Sequence, residues 1–218
     1  MSFESLGLDA SILKAVADQG YTEPTPIQKA SIPVIISGKD VIGVAQTGTG
    51  KTAAFTLPLL TKLVQSKNST HQGRVRCLIL APTRELVVQI AENVAAYSRY
   101  SGATVATCYG GVSERPQIAA LRRGCDFLIA TPGRLLDLGG QGHGDFSAVE
   151  YLVLDEADRM LDMGFLPAIN TIVRALPKER QTLMFSATLS REIETLTKQY
   201  QREPKLIEVG RRSNPAET

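Results

Sequence analysis

Gly48 and Gly50 stand in the segment Ala45-Gln46-Thr47-Gly48-Thr49-Gly50-Lys51-Thr52, directly after the strand-like run Val41-Ile42-Gly43-Val44. Glycine permits the positive φ and the close backbone approach that a phosphate cradle needs. Successive N–H groups in such a loop form a nest for phosphate oxygens. Lys51 would reach the β- and γ-phosphates, and the Thr52 hydroxyl would bind Mg²⁺. A chance glycine-rich turn would lack the strand before and the helical pattern after. The first glycine of G-x-x-x-x-G-K-[ST] is Ala45 here, which weakens a kinase or GTPase reading.

Further along, Asp155-Glu156-Ala157-Asp158 follows a second strand-like run, Tyr151-Leu152-Val153-Leu154. Three carboxylates in four residues are costly unless a cation or donors compensate. Asp155 is the candidate Mg²⁺ acid, acting through water, and Glu156 the group that orients or deprotonates an attacking water. Acids also cluster at helix N-caps for purely structural reasons. Beside a phosphate loop the functional reading is favoured. The pair of motifs predicts a protein that binds a nucleoside triphosphate and helps to hydrolyse it.

Other segments are ambiguous when read singly. Thr25-Pro26-Ile27-Gln28 is a capping box with Pro at the first helical position. The same Gln28 amide has the geometry by which glutamine reads adenine N6 and N7. Ser186-Ala187-Thr188 at a strand end reads as a turn or cap. Arg84 and Arg134 follow helix-start signals, where a guanidinium clamps phosphate or lies solvated.

These residues need a scaffold, and the pattern supplies one. Strands are predicted near 41–46, 76–81, 104–109, 127–130, 151–154, 182–186 and 205–209. Helical patterns fall near 9–18, 26–36, 51–65, 83–99, 113–123, 165–175 and 189–199. Runs such as Leu78-Ile79-Leu80 and Phe127-Leu128-Ile129 are continuous, which suits strands buried on both faces. Alternating β and α predicts a mostly parallel central sheet with helices on both faces. Thr83, Thr131 and Ser113 would start helices at the carboxyl edge of that sheet, where ligands bind. Their free N–H groups suit anions, and a phosphodiester backbone is one such ligand. Gly139 to Gly144 reads as a flexible surface loop, and residues 210–218 as a linker.

The chain has 218 residues, 24 basic against 22 acidic, for a net charge of +2. Nucleic-acid binding would therefore come from local placement of donors rather than bulk charge. Cys77, Cys108 and Cys125 lack metal-ligand spacing, and with two histidines a zinc site is not expected. Reduced thiols and a cytoplasmic location are the simplest expectation. Neither a leader pattern nor a membrane-spanning apolar run is visible.

Together the motifs resemble the DEAD-box family of ATP-dependent RNA helicases. The likeness rests on Phe3 ahead of Gly20, the motif ending in Gln28, AQTGTGKT at 45–52 and PTREL at 82–86. It continues through GG at 110–111, TPGR at 131–134, DEAD at 155–158 and SAT at 186–188. Flanking RLLDL at 134–138 and RMLDMGF at 159–165 look most like the bacterial RhlE-type group. Val87 departs from the alanine usual after PTREL.

The resemblance implies an α/β, RecA-like P-loop fold over residues 1–209, with 1–40 as the Q-motif region. It implies ATP/ADP and Mg²⁺ as cofactors and the following roles. Gln28 would select adenine, with Tyr21 or Phe3 near the base. Gln46, Thr47, Gly48, Thr49, Gly50, Lys51 and Thr52 would hold the phosphates, and Thr52 and Asp155 the metal. Catalysis would rest on Glu156, Lys51 and Asp155. Pro82, Thr83, Arg84, Gly111, Thr131, Gly133 and Arg134 would hold one RNA strand, of single-stranded or short duplex RNA. Asp158, Ser186 and Thr188 would couple nucleotide state to RNA binding.

Family helicases carry a second RecA-like domain with arginine-rich motifs, and no His-Arg dipeptide occurs in these 218 residues. The chain is thus expected to be a monomeric first half that binds adenine nucleotide, hydrolyses ATP poorly and does not unwind alone. Alternatives are a nucleotide-gated, non-catalytic RNA- or protein-binding module, a small-molecule P-loop enzyme and a DNA helicase.

Overall fold

The computed structural model describes residues 1–66 and 72–210. The segment expected to be a linker therefore lies, apart from Gly210, outside the described residues.

Seven strands form one sheet: β1 (Val41–Val44), β2 (Val75–Leu80), β3 (Val105–Cys108), β4 (Cys125–Ala130), β5 (Tyr151–Leu154), β6 (Gln181–Ser186) and β7 (Lys205–Glu208). Their order is β3-β4-β2-β5-β6-β1-β7. Every neighbouring pair is parallel, so the sheet is wholly rather than mostly parallel. The strands are as expected because continuous apolar runs can be buried only between two layers.

Alternate residues of the inner strands feed opposite cores. Ile79, Ile129, Val153 and Phe185 point into one, with residues of α1 (Ala10–Asp18), α2 (Pro26–Ile36), α3 (Lys51–Gln65) and α4 (Arg84–Tyr97). Leu78, Leu128, Leu152 and Met184 point into the other. That second layer is built by α5 (Arg115–Arg123), α6 (Pro132–Gly140), α7 (Ala157–Asp162), α8 (Leu166–Arg174) and α9 (Arg191–Tyr200). A strand's two-residue side-chain period thus makes a three-layer sandwich.

Gly43 shows how tightly β1 is held beside the phosphate loop. A Cβ there would lie 2.6 Å from the Phe185 ring on β6. That ring also packs on Phe55 of α3, with centroids 5.2 Å apart.

Three helices depart from expectation. Gly139 and Gly140, expected in a flexible loop, close α6 instead. Burial of Leu135 and Leu138 on that helix outweighs the poor propensity of its two glycines. The short α7 follows the acidic motif directly, with Ala157 and Met160 buried. Helix α5 begins at Arg115 with Glu114 as N-cap, not at Ser113.

Candidate nucleotide and RNA-backbone site

The strand order divides the carboxyl edge of the sheet in two. On one side, β5, β6 and β1 are neighbours, so the segments 155–158, 186–188 and 45–52 lie next to one another. On the other, β3, β4 and β2 are neighbours, which groups residues 109–113, 131–134 and 82–84.

The phosphate-loop half starts with backbone. Gly48 and Gly50 have φ of 83° and 86°, the left-handed region expected of them. Gly50 is the N-cap of α3, so the first N–H groups of that helix face the loop. The Thr49 hydroxyl donates to the Gln46 carbonyl at 2.7 Å and tightens the turn. Lys51 is buried, its ammonium donating to the Ala45 carbonyl at 3.1 Å. Ala45 in turn donates its N–H to the Ser186 carbonyl at 3.1 Å, extending the β1–β6 ladder into the loop. Thr52 follows Lys51 in the first turn of α3.

Gln28 caps its own helix and also reaches the phosphate loop. Its Oε1 accepts the Thr25 N–H at 3.0 Å, which is the capping half. Its Nε2 donates to the Gly50 carbonyl at 3.2 Å, which ties α2 to the phosphate loop. One Nε2 hydrogen and one Oε1 lone pair remain, enough for a donor–acceptor pair with a base edge. Capping and adenine reading are therefore compatible in a single side chain. The neighbouring Thr25 hydroxyl is buried without a partner. Of the two aromatic candidates, Tyr21 is 52% exposed, whereas Phe3 is 4% exposed and belongs to the core.

Asp155 directly follows β5 and is 3% exposed. Burial pushes its carboxyl up to about 6, against the pull of the Lys51 ammonium. The Glu156 N–H at 3.0 Å is a hydrogen bond it accepts. Glu156 adopts φ 50° and ψ 50°, a conformation costly for a non-glycine residue, and it begins α7. Arg159 Nη1 lies 3.3 Å from Glu156 Oε2. The Thr188 hydroxyl donates to Asp158 at 3.3 Å, joining the β6 and β5 ends. Ser186 turns elsewhere: its hydroxyl accepts the Thr188 N–H at 3.4 Å.

On the other half, Thr83 caps α4 by accepting the Leu86 N–H at 3.2 Å, with buried Pro82 just before it. Thr131 and Pro132 start α6, and the exposed Gly133 follows. Arg84 is exposed, with its guanidinium 5.3 Å from the Tyr109 ring centroid. A Cβ on Gly111, at φ 81°, would come within 3.8 Å of Arg84 Nη1.

Arg134 is no loose surface residue. It donates to the Val112 carbonyl and to Gln117 Oε1, each at 3.3 Å. Gln117 is buried and donates to the Tyr109 carbonyl at 2.9 Å. Gln117 and Arg159 are the site residues that sequence reasoning missed. The signals were faint: one amide in an amphipathic helix, and an arginine three residues after Glu156.

The residues present fit a Mg²⁺–nucleotide group. Asp155 is a buried carboxylate in need of a cation, and a Cβ on Gly48 would meet nothing within 4 Å, so the loop's outer face is open. Among the described residues no three His, Cys, Asp or Glu side chains gather as a metal cluster. Mg²⁺ characteristically takes one or two carboxylates plus phosphates and water, and needs no such cluster.

The chain is similar to known DEAD-box proteins. A DEAD-box ATP-dependent RNA helicase of Arabidopsis thaliana is 48% identical over 95% of this chain and 35% of its own length. An ATP-dependent RNA helicase RhlB of Pseudomonas aeruginosa is 47% identical over 95% of this chain and 53% of its own. The crystal structure of a DEAD box protein from Methanococcus jannaschii superposes with a TM-score of 0.89 at 36% identity. That match covers 96% of this chain and 56% of that one. The chain thus spans about half, or less, of the length of these relatives. The finer likeness to the RhlE-type group gains no support from them. The model of the DEAD/DEAH box helicase family matches residues 25–196, and the chain belongs to that family.

Proposed function

We propose that this chain is the nucleotide-binding and RNA-backbone-binding half of an ATP-dependent RNA helicase. The observation that carries this reading is the adjacency of β5, β6 and β1, which gathers three motifs on one stretch of the sheet edge. Gln28 reads adenine while holding Gly50, and Tyr21 offers an exposed ring near the base. The N–H groups of residues 46–50 and the Lys51 ammonium hold phosphate oxygens, for which Lys51 must leave the Ala45 carbonyl. Thr52 and Asp155 hold Mg²⁺, which when bound neutralises charge developing on the phosphates. Glu156 orients the attacking water and accepts its proton.

RNA binds on the β3-β4-β2 half. Arg84 and Arg134 pair with phosphate, while the Thr83, Gly111, Thr131 and Gly133 backbone lies against the same strand. Such contacts position the nucleic acid without reading its bases. The Thr188–Asp158 bond and the Ala45–Ser186 ladder tie the three motifs of the nucleotide half together, and the Asp155 N–H donating to the Leu80 carbonyl joins that half to the end of β2 on the RNA side, the route by which Asp158, Ser186 and Thr188 would pass on nucleotide state.

In the whole protein a second RecA-like domain would close over both ligands, and short duplexes would separate locally. An arginine finger from such a domain is worth about 10³–10⁵ in rate. These 218 residues by themselves are accordingly expected to bind ADP and ATP but to turn ATP over slowly.

A paired titration of ADP and GDP with Mg²⁺ present tests the reading. Clear preference for ADP, lost in Gln28→Ala, supports it. Equal affinity for the two nucleotides would reduce Gln28 to a helix cap and overturn the adenine assignment.

A further inference from the structure

One buried amide joins the start of α5 to the RNA half of the sheet edge. Gln117 is 6% exposed and sits in the first turn of that helix. Its Nε2 donates to the Tyr109 carbonyl, just past β3, at 2.9 Å. An amide has one oxygen and one nitrogen, so this bond fixes which end faces where. Oε1 then accepts from Arg134 Nη1 at 3.3 Å. The turn that Gln117 holds also carries Val112, whose carbonyl accepts from Nη1 and Nη2 of the same arginine, each at 3.3 Å.

A guanidinium has five N–H donors in one rigid plane. The contacts to Val112 and Gln117 use both hydrogens of Nη1 and one of Nη2. Nε–H and the outer Nη2–H remain, and neither meets an acceptor among the described residues. They lie side by side along one edge of the plane, the fork that takes two oxygens of a single phosphate. Arg134 also makes no ion pair among the described residues, so its charge is not already neutralised. Arg84 is held otherwise. Its guanidinium lies 5.3 Å from the Tyr109 ring centroid, and among the described residues no hydrogen bond fixes its donors.

We propose that Gln117 is a positioning residue for RNA: it sets Arg134 with the Nε–Nη2 edge ready for phosphate and touches no RNA itself. The proposal rests on the reading that Arg134 pairs with a phosphate of the bound strand. A loose arginine loses rotamer freedom when a ligand fixes it, and here folding has already removed that freedom. The gain is affinity without base identity, since the fork meets only phosphate. Glutamine suits this place because it is neutral. It offers Arg134 an acceptor and leaves the positive charge for the nucleic acid, where a carboxylate would cancel it.

The test is a double-mutant cycle on the folded chain, with a short single-stranded oligouridylate followed by fluorescence anisotropy over a range of salt. Gln117→Met should weaken binding about two- to tenfold, the cost of fixing one long side chain anew. Its salt dependence should match the parent, because the charge of Arg134 is still present. Arg134→Gln should also weaken binding, and should make the slope of log K against log salt shallower by about 0.7, one phosphate contact on a single strand. With Arg134→Gln in place, Gln117→Met should have no further effect. Equal weakening in both backgrounds would mean that Gln117 merely props the fold, and overturns the proposal. Tighter binding by Gln117→Met would mean that Gln117 holds Arg134 back, and overturns it too. If Arg134→Gln changes nothing, the reading of Arg134 as a phosphate contact falls, and the proposal with it. Gln117→Glu is the second variant, keeping size and acceptor while adding a negative charge. It should bind more weakly than the parent with the shallower slope of Arg134→Gln, and a parental slope counts against the proposal. ADP affinity at the parental value shows that each variant is folded.

Discussion

The Gln28 side-chain amide donates to the carbonyl oxygen of Gly50 at 3.2 Å, so the proposed base reader grips the residue that starts the phosphate-loop helix. The bond makes two substitutions informative. Gln28→Ala removes both this contact and the cap on Thr25, and should cost about 1 kcal/mol of stability. It should also erase an ADP-over-GDP preference of about 1–3 kcal/mol. Gln28→Glu keeps the Oε1 acceptor for Thr25 but loses the donor to Gly50. It should therefore melt closer to the parent while losing ADP affinity, a split that calorimetric titration beside thermal melting would reveal.

The two loop glycines are expected to differ under substitution. Both have positive φ, so alanine costs each about 1–2 kcal/mol in backbone strain. At Gly48 the new Cβ meets nothing within 4 Å. At Gly50 it would stand 2.5 Å from Gln28 Nε2 and 3.0 Å from Thr25 Oγ1. Gly50→Ala must push Gln28 aside, and should flatten the ADP–GDP difference as Gln28→Ala does. Gly48→Ala should weaken both nucleotides alike. If Gly50→Ala kept full base discrimination, the contact with Gln28 would be irrelevant to it.

Much of the scaffold is legible in the sequence because buried parallel strands need unbroken apolar runs. Leu78-Ile79-Leu80 and Phe127-Leu128-Ile129 leave little choice. Helix α6 is not legible in the same way, since Gly139-Gly140 signals a break and only packing of Leu135 and Leu138 overrides it. The motifs are readable one by one, but their grouping is not. That Asp158 meets Thr188, thirty residues on, depends on β5 and β6 being neighbours. The anchoring of Arg134 by Gln117 is likewise a contact between helices α6 and α5, which no local pattern encodes.

Arg76 provides a control for stability away from the site. It is 5% exposed, bonds Glu150 through Nε and Nη2 at 3.1 and 3.0 Å, and lies 3.6 Å from Asp126. Removing one partner of a buried ion pair costs about 3–5 kcal/mol, and Glu150's partial exposure places Arg76→Ala at the low end. Arg76→Lys loses the forked geometry and should recover only part of that loss. Since β2 starts at the edge opposite the phosphate loop, ADP affinity of the folded variant should match the parent. Urea unfolding with an ADP titration checks both statements.

The three thiols define the alkaline limit of the fold. Cys77, Cys108 and Cys125 are buried, and burial raises all three, Cys108 and Cys125 to about 12. A raised acid pKa means that the native state holds protons which the unfolded chain releases from about pH 9 upward. Their contribution to stability is complete below that value and is lost as pH climbs toward 12. Tyr151, also pushed up to about 12 by burial, acts in the same direction above the ordinary tyrosine range. Urea midpoints should therefore fall between mildly and strongly alkaline buffer. Because the thiolate is the reacting species, a thiol reagent at neutral pH should label native protein slowly and all three cysteines rapidly on unfolding. Fast labelling of Cys108 in the native state would show that the β3–β4 edge opens locally, and would place its stability well below that of the central strands.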